Sequence, residues 1–436
     1  MKKIILKITS LLLLFSSFSY GQNFNLDSLN LNQINTLTSE ADFGIPKAEL
    51  NKSKALKEWT VMVYVNGKND LSKFGEKDVN EMETIGSTSK MNIVVELGTE
   101  DETTERFLVK KDHFPTLVTS KPLEILENDD MGDWKHLVDF ATWSKKKFPA
   151  KRYMLIIWNH GDGWVTSKGI SYDFKTDNHI STPELGLAMK EIGQVDILAM
   201  DACLMQMAEV AFEVKDYTDI VVASQETEPG DGYPYNAILK KMSKMTKKSN
   251  EEIAKNIVTQ YEKYYSKNET VTQSALKTSR LDSLVVLLNE WTARAMQIED
   301  KTPLISAINI TDSYARDEYK DLSHFIQLAG EKTKDEILIE KGEKINEFIA
   351  NKLIIAKTSL RKNANGLSVY ITRKGTGEKY ADLAWAETQW DEFLNSLKGL
   401  ASSEGVAGTG CIKPDDNAPI QELFDYLDCL TNALTQ

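Results

Sequence analysis

The chain has 436 residues, 41% of them hydrophobic and 27% charged, with a formal net charge of −13. That is enough apolar residue to bury a large core, and the length allows two or three domains. The acidic balance argues against nucleic acid as the main partner, and no stretch after the amino terminus is long and apolar enough to span a membrane.

Residues 1–21 have the layout of an export signal. Lys2 and Lys3 form a basic start, Ile8 to Phe18 is apolar, and Ser19-Tyr20-Gly21 ends on a small residue. Its removal takes away Lys2, Lys3 and Lys7 and leaves a net charge of −16. The expected location is therefore outside the cytoplasm: secreted, periplasmic or at the cell surface. Residues 22–57 are polar and without a period, and read as a linker or propeptide.

A catalytic core is expected over residues 58–247. Trp59 to Val65 is a strong strand, Asn66 to Asp70 turns the chain, and a helix runs to about Ile85 with Phe74, Val79 and Met82 on one face. Met91 to Leu97 is a second strand, and Phe107–Lys110 with Thr116–Thr119 reads as a small hairpin. A helix from Asp133 to Ser144 precedes the apolar strand Tyr153–Trp158, which breaks into Asn159, His160 and Gly161. The loop from Asp162 to Ile180 carries Lys168 and Lys175. Thr182 caps a helix that Gly193 stops. The strand beginning at Val195 comes at once and breaks into Asp201, Ala202 and Cys203. Strand, short helix, strand is a βαβ unit, so the two strands should be parallel, with a right-handed crossover. Their polar ends would then emerge on one edge of a covered parallel sheet, where such sheets place their chemistry.

A helix is expected from Leu204 to Val214, then a strand at Asp219–Ser224 and a Gly/Pro loop through Tyr233. Residues 248–400 read as a mainly helical subdomain that completes the fold. Its helices are Glu251–Lys267, Leu281–Ile298, Ile337–Ser359 and Asp382–Leu397, with one strand at Gly366–Ile371. Residues 401–410 are small and glycine-rich, a linker to a tail bracketed by Cys411 and Cys429. Those two cysteines read as a disulfide, worth about 3 kcal/mol by loop closure.

Cys203 is then the odd thiol of an exported chain, which marks it as a reactive group. The competing reading is an inert buried cysteine; its place after a strand and beside Asp201 favours chemistry. A thiol attacks as thiolate, and a neighbouring imidazole raises the ionised fraction and later protonates a leaving amine. His160 suits that role. The N–H groups of Gly161 and Cys203 can form an oxyanion hole, worth about 3 kcal/mol per donor. Asp201 can line the pocket for the residue before the cut. Asp231 is either a turn former in Pro-Gly-Asp-Gly or a second pocket carboxylate. Two carboxylates in a partly dry pocket select Arg or Lys, and losing one such partner costs about 2–5 kcal/mol.

The combination of His-Gly after one strand, Asp-Ala-Cys after the next and Ser-Gln-Glu-Thr-Glu-Pro-Gly-Asp-Gly-Tyr at 224–233 resembles the clostripain family of cysteine peptidases, in the caspase-like clan. The opening strand with Asn66-Gly67-Lys68-Asn69-Asp70 and the late Asn365–Tyr370 segment also fit, and the resemblance covers roughly Trp59 to Leu397. It implies an α/β fold, a caspase-like three-layer α/β/α sandwich with a mostly parallel central sheet. It also implies cleavage of proteins or peptides after Arg or Lys by a dyad of His160 and Cys203, with Asp201 and Asp231 as pocket carboxylates. Maturation by self-cleavage between the two catalytic strands is part of the resemblance, at Lys168 or Lys175. The product would be a monomer of two chains. Some relatives need Ca²⁺; the acidic loops here permit it, but no calcium-loop spacing is present.

Two rivals remain. One is a non-catalytic surface or adhesion protein that keeps the fold, and retention of both His160 and Cys203 counts against it. The other is a metal-dependent hydrolase, and the five histidines (His113, His136, His160, His179, His324) lack ligand spacing.

Overall fold

The computed structural model describes residues 56–100, 103–114, 116–164 and 169–399. The expected signal, the leader up to residue 55, Lys168, the glycine-rich linker and the Cys411–Cys429 pair lie outside the described residues. The strands are β1 (Lys57–Asn66), β2 (Met91–Gly98), β3 (Thr103–Leu108), β4 (Glu124–Glu127), β5 (Ala150–Trp158), β6 (Ile170–Asp173), β7 (Asn178–Ile180), β8 (Val195–Asp201), β9 (Thr218–Ala223), β10 (Ser274–Lys277), β11 (Tyr319–Asp321), β12 (Ile354–Lys357) and β13 (Ser368–Tyr370).

Nine strands form one sheet in the order β12-β10-β9-β8-β5-β1-β2-β3-β4. The middle of the sheet, β9-β8-β5-β1-β2, is parallel. The outer strands on both sides are antiparallel. From β1 the chain moves outward to β2 and then returns to the other flank as β5, so the strand order reverses between β1 and β5. A crevice opens at the carboxyl ends of such a pair.

Both sheet faces are covered, which is why the central strands are apolar without alternation. Leu155 and Ile157 of β5 and Leu198 and Met200 of β8 face one core, with Phe140, Leu185 and Trp291. Met154, Ile156 and Trp158, with Ile197 and Ala199, face a second core against Val79, Ile238 and Ile257. The helices Trp134–Lys147, Thr182–Ile192 and Leu281–Gln297 build the first layer; Ser72–Glu83, Tyr235–Lys244 and Asn250–Tyr264 build the other. The architecture is a three-layer α/β/α sandwich with a mostly parallel sheet and a helix-rich carboxyl-terminal part.

Several elements differ from the sequence reading. The helix expected at once after Cys203 starts only at Ala208. The reason is local: Leu204 sits at φ +64, and the N–H groups of Leu204 and Gln206 bond Glu226 O and Ser224 O instead of a helical turn. The helix expected over 337–359 ends at Phe348, turns through Ile349–Leu353, and becomes β12. An apolar run such as Leu353-Ile354-Ile355 fits either period, and pairing with β10 decides it. The late strand pairs with β11 in a small separate sheet. The helix expected over 382–397 is confined to Trp390–Ser396, after 3₁₀ turns at Glu378–Asp382 and Ala384–Glu387. Ser181, rather than Thr182, caps the crossover helix, in a capping box with Glu184. The hairpin expected from Phe107–Lys110 and Thr116–Thr119 is instead β3 with β4; residues 116–119 form no strand, and the pair extends the main sheet.

Candidate active site

The ends of β5 and β8 set the geometry. Trp158 lies opposite Asp201 in parallel register, and the Asn159 N–H bonds Asp201 O at 3.2 Å. Two residues on, His160 and Cys203 leave the sheet side by side. The Asn159 side chain ties the edge together: it donates to Asn66 O at 2.5 Å and accepts from the Tyr172 N–H at 2.9 Å. It thereby joins the ends of β1 and β5 to the β6–β7 hairpin.

The His160 ring is held from two sides. Its Nε2 lies 2.8 Å from Asp70 Oδ1, on the loop after β1. Its face stacks on Phe174, with centroids 6.3 Å apart and planes 8° from parallel, and the Tyr172 ring stands edge-on to it. Phe174 and Lys175 occupy the exposed turn between β6 and β7. Gly161 is next in the chain. The bonds flanking its bridge to Ile170, Asp162 N–H to Gly169 O and Ser171 N–H to His160 O, make it the non-hydrogen-bonded member of that pair. Its own N–H therefore points away from β6. A Cβ at Gly161 would lie 2.5 Å from Cys203 O, so the two strand ends are in backbone contact there.

Cys203 is a free, partly buried cysteine. Its Sγ accepts from the Glu228 N–H at 3.2 Å and faces Glu228 O at 4.0 Å. Burial pushes the thiol pKa up, the Glu228 N–H pulls it down, and the Asp201 carboxylate adds to the rise. The thiol is accordingly neutral near pH 7 in this state, while Asp70 holds the His160 imidazole at the neighbouring strand end.

Asp201 is buried on the face opposite Ala202, where its Oδ2 accepts from the Tyr235 hydroxyl at 2.8 Å and from the Tyr233 N–H at 3.1 Å. Gly232, at φ +55, brings its loop so close that a Cβ there would lie 3.0 Å from Asp201 Oδ1. Burial pushes the Asp201 carboxyl up to about 6, against hydrogen bonds from Glu228, Tyr235 and Tyr233 that favour its charged form. Glu228 is raised well above the usual range, by burial first and then by the Asp201 charge. Asp78, on the helix behind, is raised for the same two reasons and accepts from Trp158 Nε1 at 2.7 Å.

Of the residues singled out in the sequence, His160, Gly161, Asp201 and Cys203 meet on this edge. Asp231 is half-exposed on the same loop as Glu228; its Oδ1 pairs with Lys77 at 2.5 Å and its Oδ2 receives the Tyr264 hydroxyl at 3.3 Å. The sequence reading did not single out Asp70, Asp78 or the role of Glu228. Asp70 was accessible to it, since it ends the turn after a strand that parallels β5. Arg316 grips Asp162, next to the His-Gly pair, through both carboxylate oxygens. Among the described residues, no three or more His, Cys, Asp or Glu side chains are grouped to hold a metal ion. No helix among them is long and apolar enough to cross a membrane.

Comparison with known proteins agrees with this arrangement. Residues 63–398 match the clostripain family. The chain is 26% identical to clostripain from Hathewaya histolytica over 252 residues, 48% of this chain and 45% of that protein, so the match spans less than half of its relative. In fold it resembles a secreted cysteine protease from Bacteroides thetaiotaomicron, crystallised with an irreversible peptide inhibitor. The TM-score is 0.61 at 21% identity, covering 78% of this chain and 99% of that one. An inactive zymogen protease from Parabacteroides distasonis gives 0.59 at 19% identity, covering 79% and 99%. A family match over most of the chain, on a sheet that brings a histidine and a cysteine together at two parallel strand ends, places the protein in the clostripain family of cysteine peptidases.

Proposed function

We propose that the chain is an exported cysteine endopeptidase that cuts after Arg or Lys and is made as a single-chain zymogen. The observation that carries this reading is the shared edge: His160 and Cys203 at adjoining strand ends, with the buried Asp201 carboxyl two residues before the sulfur. In the working site His160 turns from Asp70 and takes the Cys203 proton. The sulfur then attacks the scissile carbonyl, and its oxygen is received by the Gly161 and Cys203 N–H groups. His160 returns the proton to the leaving amine, and water attacks the thioester to regenerate the thiol. Asp201 receives the basic side chain before the cut, with Asp231 at the rim.

Lys175 is the better-supported activation site. It lies in an exposed turn directly after Phe174, which stacks on the catalytic ring. A cut after Lys175 frees Phe174 and the imidazole together. Lys168 is the alternative. The mature enzyme is then one molecule of two chains, and residues 1–21 send it out of the cytoplasm.

The test is hydrolysis of fluorogenic peptides ending in Arg, Lys, Asp, Asn or Leu, with and without Ca²⁺. The proteins are the mature wild type, Cys203→Ala and Lys175→Gln. The expected result is cleavage after Arg or Lys alone, none by Cys203→Ala, and a Lys175→Gln protein that stays one chain. Cleavage after Asp or Asn would overturn the pocket assignment. No turnover by a processed wild type would favour the non-catalytic reading.

A further inference from the structure

We propose that Glu228 is the second carboxylate of the basic-residue pocket, and that an entering guanidinium or ammonium displaces the proton that the buried Glu228 carboxyl keeps. This rests on the reading of Asp201 as the pocket that precedes the cut. The expected partner was Asp231, but its carboxylate is half-exposed and already paired with Lys77 and Tyr264. Glu228, three residues earlier, faces inward. Its Oε1 receives Gln273 Nε2 at 3.1 Å, from a glutamine that is only 1% exposed. Its Oε2 is buried where no N–H or hydroxyl donor reaches it. Burial first, and then the Asp201 charge, raise its carboxyl well above the usual range. Of these two buried carboxyls Glu228 is the one that keeps a proton, because Asp201 has the Tyr235 hydroxyl and Tyr233 N–H to hold its charge, whereas Glu228 Oε2 has no donor.

A further buried carboxyl stands on the helix behind Asp201. Asp78 is 1% exposed, its Oδ1 has no hydrogen-bond donor, and its largest charged neighbour is Asp201. Glu81 adds its charge from the same helix, while Lys77, which faces Asp78 only weakly, is committed to Asp231. The other groups facing Glu228 are the Cys203 thiol and the phenols of Tyr233, Tyr261 and Tyr265, all neutral near pH 7. Buried carboxyls that cannot find a cation keep a proton; one supplied by substrate replaces it. The pocket then goes from one negative charge and one proton to two negative charges around one positive, and the proton leaves to solvent. Glu228 also donates its backbone N–H to Cys203 Sγ, so a single residue touches both the selected side chain and the nucleophile.

The experiment is calorimetric titration of Cys203→Ala, cut in trans by wild-type enzyme that is then removed, with a short peptide ending in Arg, at pH 6.5 to 7.5, in buffers of different ionisation enthalpy. A peptide with citrulline in place of Arg is the neutral control. The expected result is release of close to one proton on binding the Arg peptide and none with citrulline. In Cys203→Ala with Glu228→Gln, the release disappears and Kd rises tenfold or more. Arg-peptide binding without proton release would overturn the role of Glu228 and leave the basic pocket standing. Failure to bind Arg or Lys peptides, with binding of another series, would overturn the pocket and this inference together. The proton count needs no substitution at Glu228, so poor folding of the glutamine variant leaves the test intact.

Discussion

Replacement of Gly161 by alanine tests the contact between the ends of β5 and β8, and with it the proposed pairing of His160 and Cys203. The added Cβ would sit 2.5 Å from Cys203 O, 3.0 Å from Ala202 Cβ and 3.0 Å from Met205 Cγ. Carbon atoms pack best at about 3.5–4.0 Å, so the ends of β5 and β8 must part by roughly 1 Å. Overpacking of this kind costs about 1–3 kcal/mol, which a domain stable by about 5–15 kcal/mol survives. A displacement of about 1 Å within a catalytic pair, by contrast, costs about 100-fold in rate. Gly161→Ala is therefore expected to fold, to unfold at somewhat lower urea, and to lose about two orders of magnitude in kcat/KM on an Arg or Lys peptide. Gly377→Ala is the control, since nothing lies within 4 Å of its added Cβ and its φ of −73 suits any residue. Retention by Gly161→Ala of more than about a third of wild-type kcat/KM would refute the argument, because a shift of about 1 Å does not permit it.

Two further substitutions probe the supports. Arg316→Ala leaves Asp162, largely buried beside the His-Gly pair, without its bidentate partner; the expected loss is about 1–3 kcal/mol, discounted for the partial exposure of Arg316. Arg316→Lys should recover less than half of it, since an ammonium cannot hold both oxygens; urea unfolding in which Lys equals Arg would remove the bidentate argument. Glu209 is fully buried, and burial raises its carboxyl to about 7. Between the ordinary value of 4.5 and about 7 the folded chain binds more protons than the unfolded one, so stability falls as pH rises through that window. At about 1.4 kcal/mol per pKa unit the fall amounts to roughly 3 kcal/mol. Glu209→Gln should flatten it, and an unchanged pH profile by urea titration would show that Glu209 ionises normally.

Much of the layout was legible along the chain, for a physical reason. A strand buried on both faces must be apolar throughout, so β1, β5 and β8 stand out, and the polar residues that end them mark the edge where they leave the core. The short helix between β5 and β8 requires parallel neighbours, which alone brings His160 beside Cys203. The segments leaving the strands were less legible. The delayed helix after Cys203 depends on Glu226 and Ser224 drawing N–H groups away from a helical turn, and β12 exists because β10 is there to pair with it.

The carboxylates divide most clearly. Asp201 could be read from the sequence because its distance from Cys203 is covalent. Glu228 and Asp231 could not be told apart, since both stand in one Pro/Gly loop three residues apart. The loop's path over Asp201, permitted by Gly232 at φ +55, turns the first inward and leaves the second to Lys77. Asp70 and Asp78 belong to the site only because β1 lies next to β5. Local sequence determines which residues leave a strand and with what chemistry; which charges face one another across the crevice is decided by strand order and loop path, which no local pattern encodes.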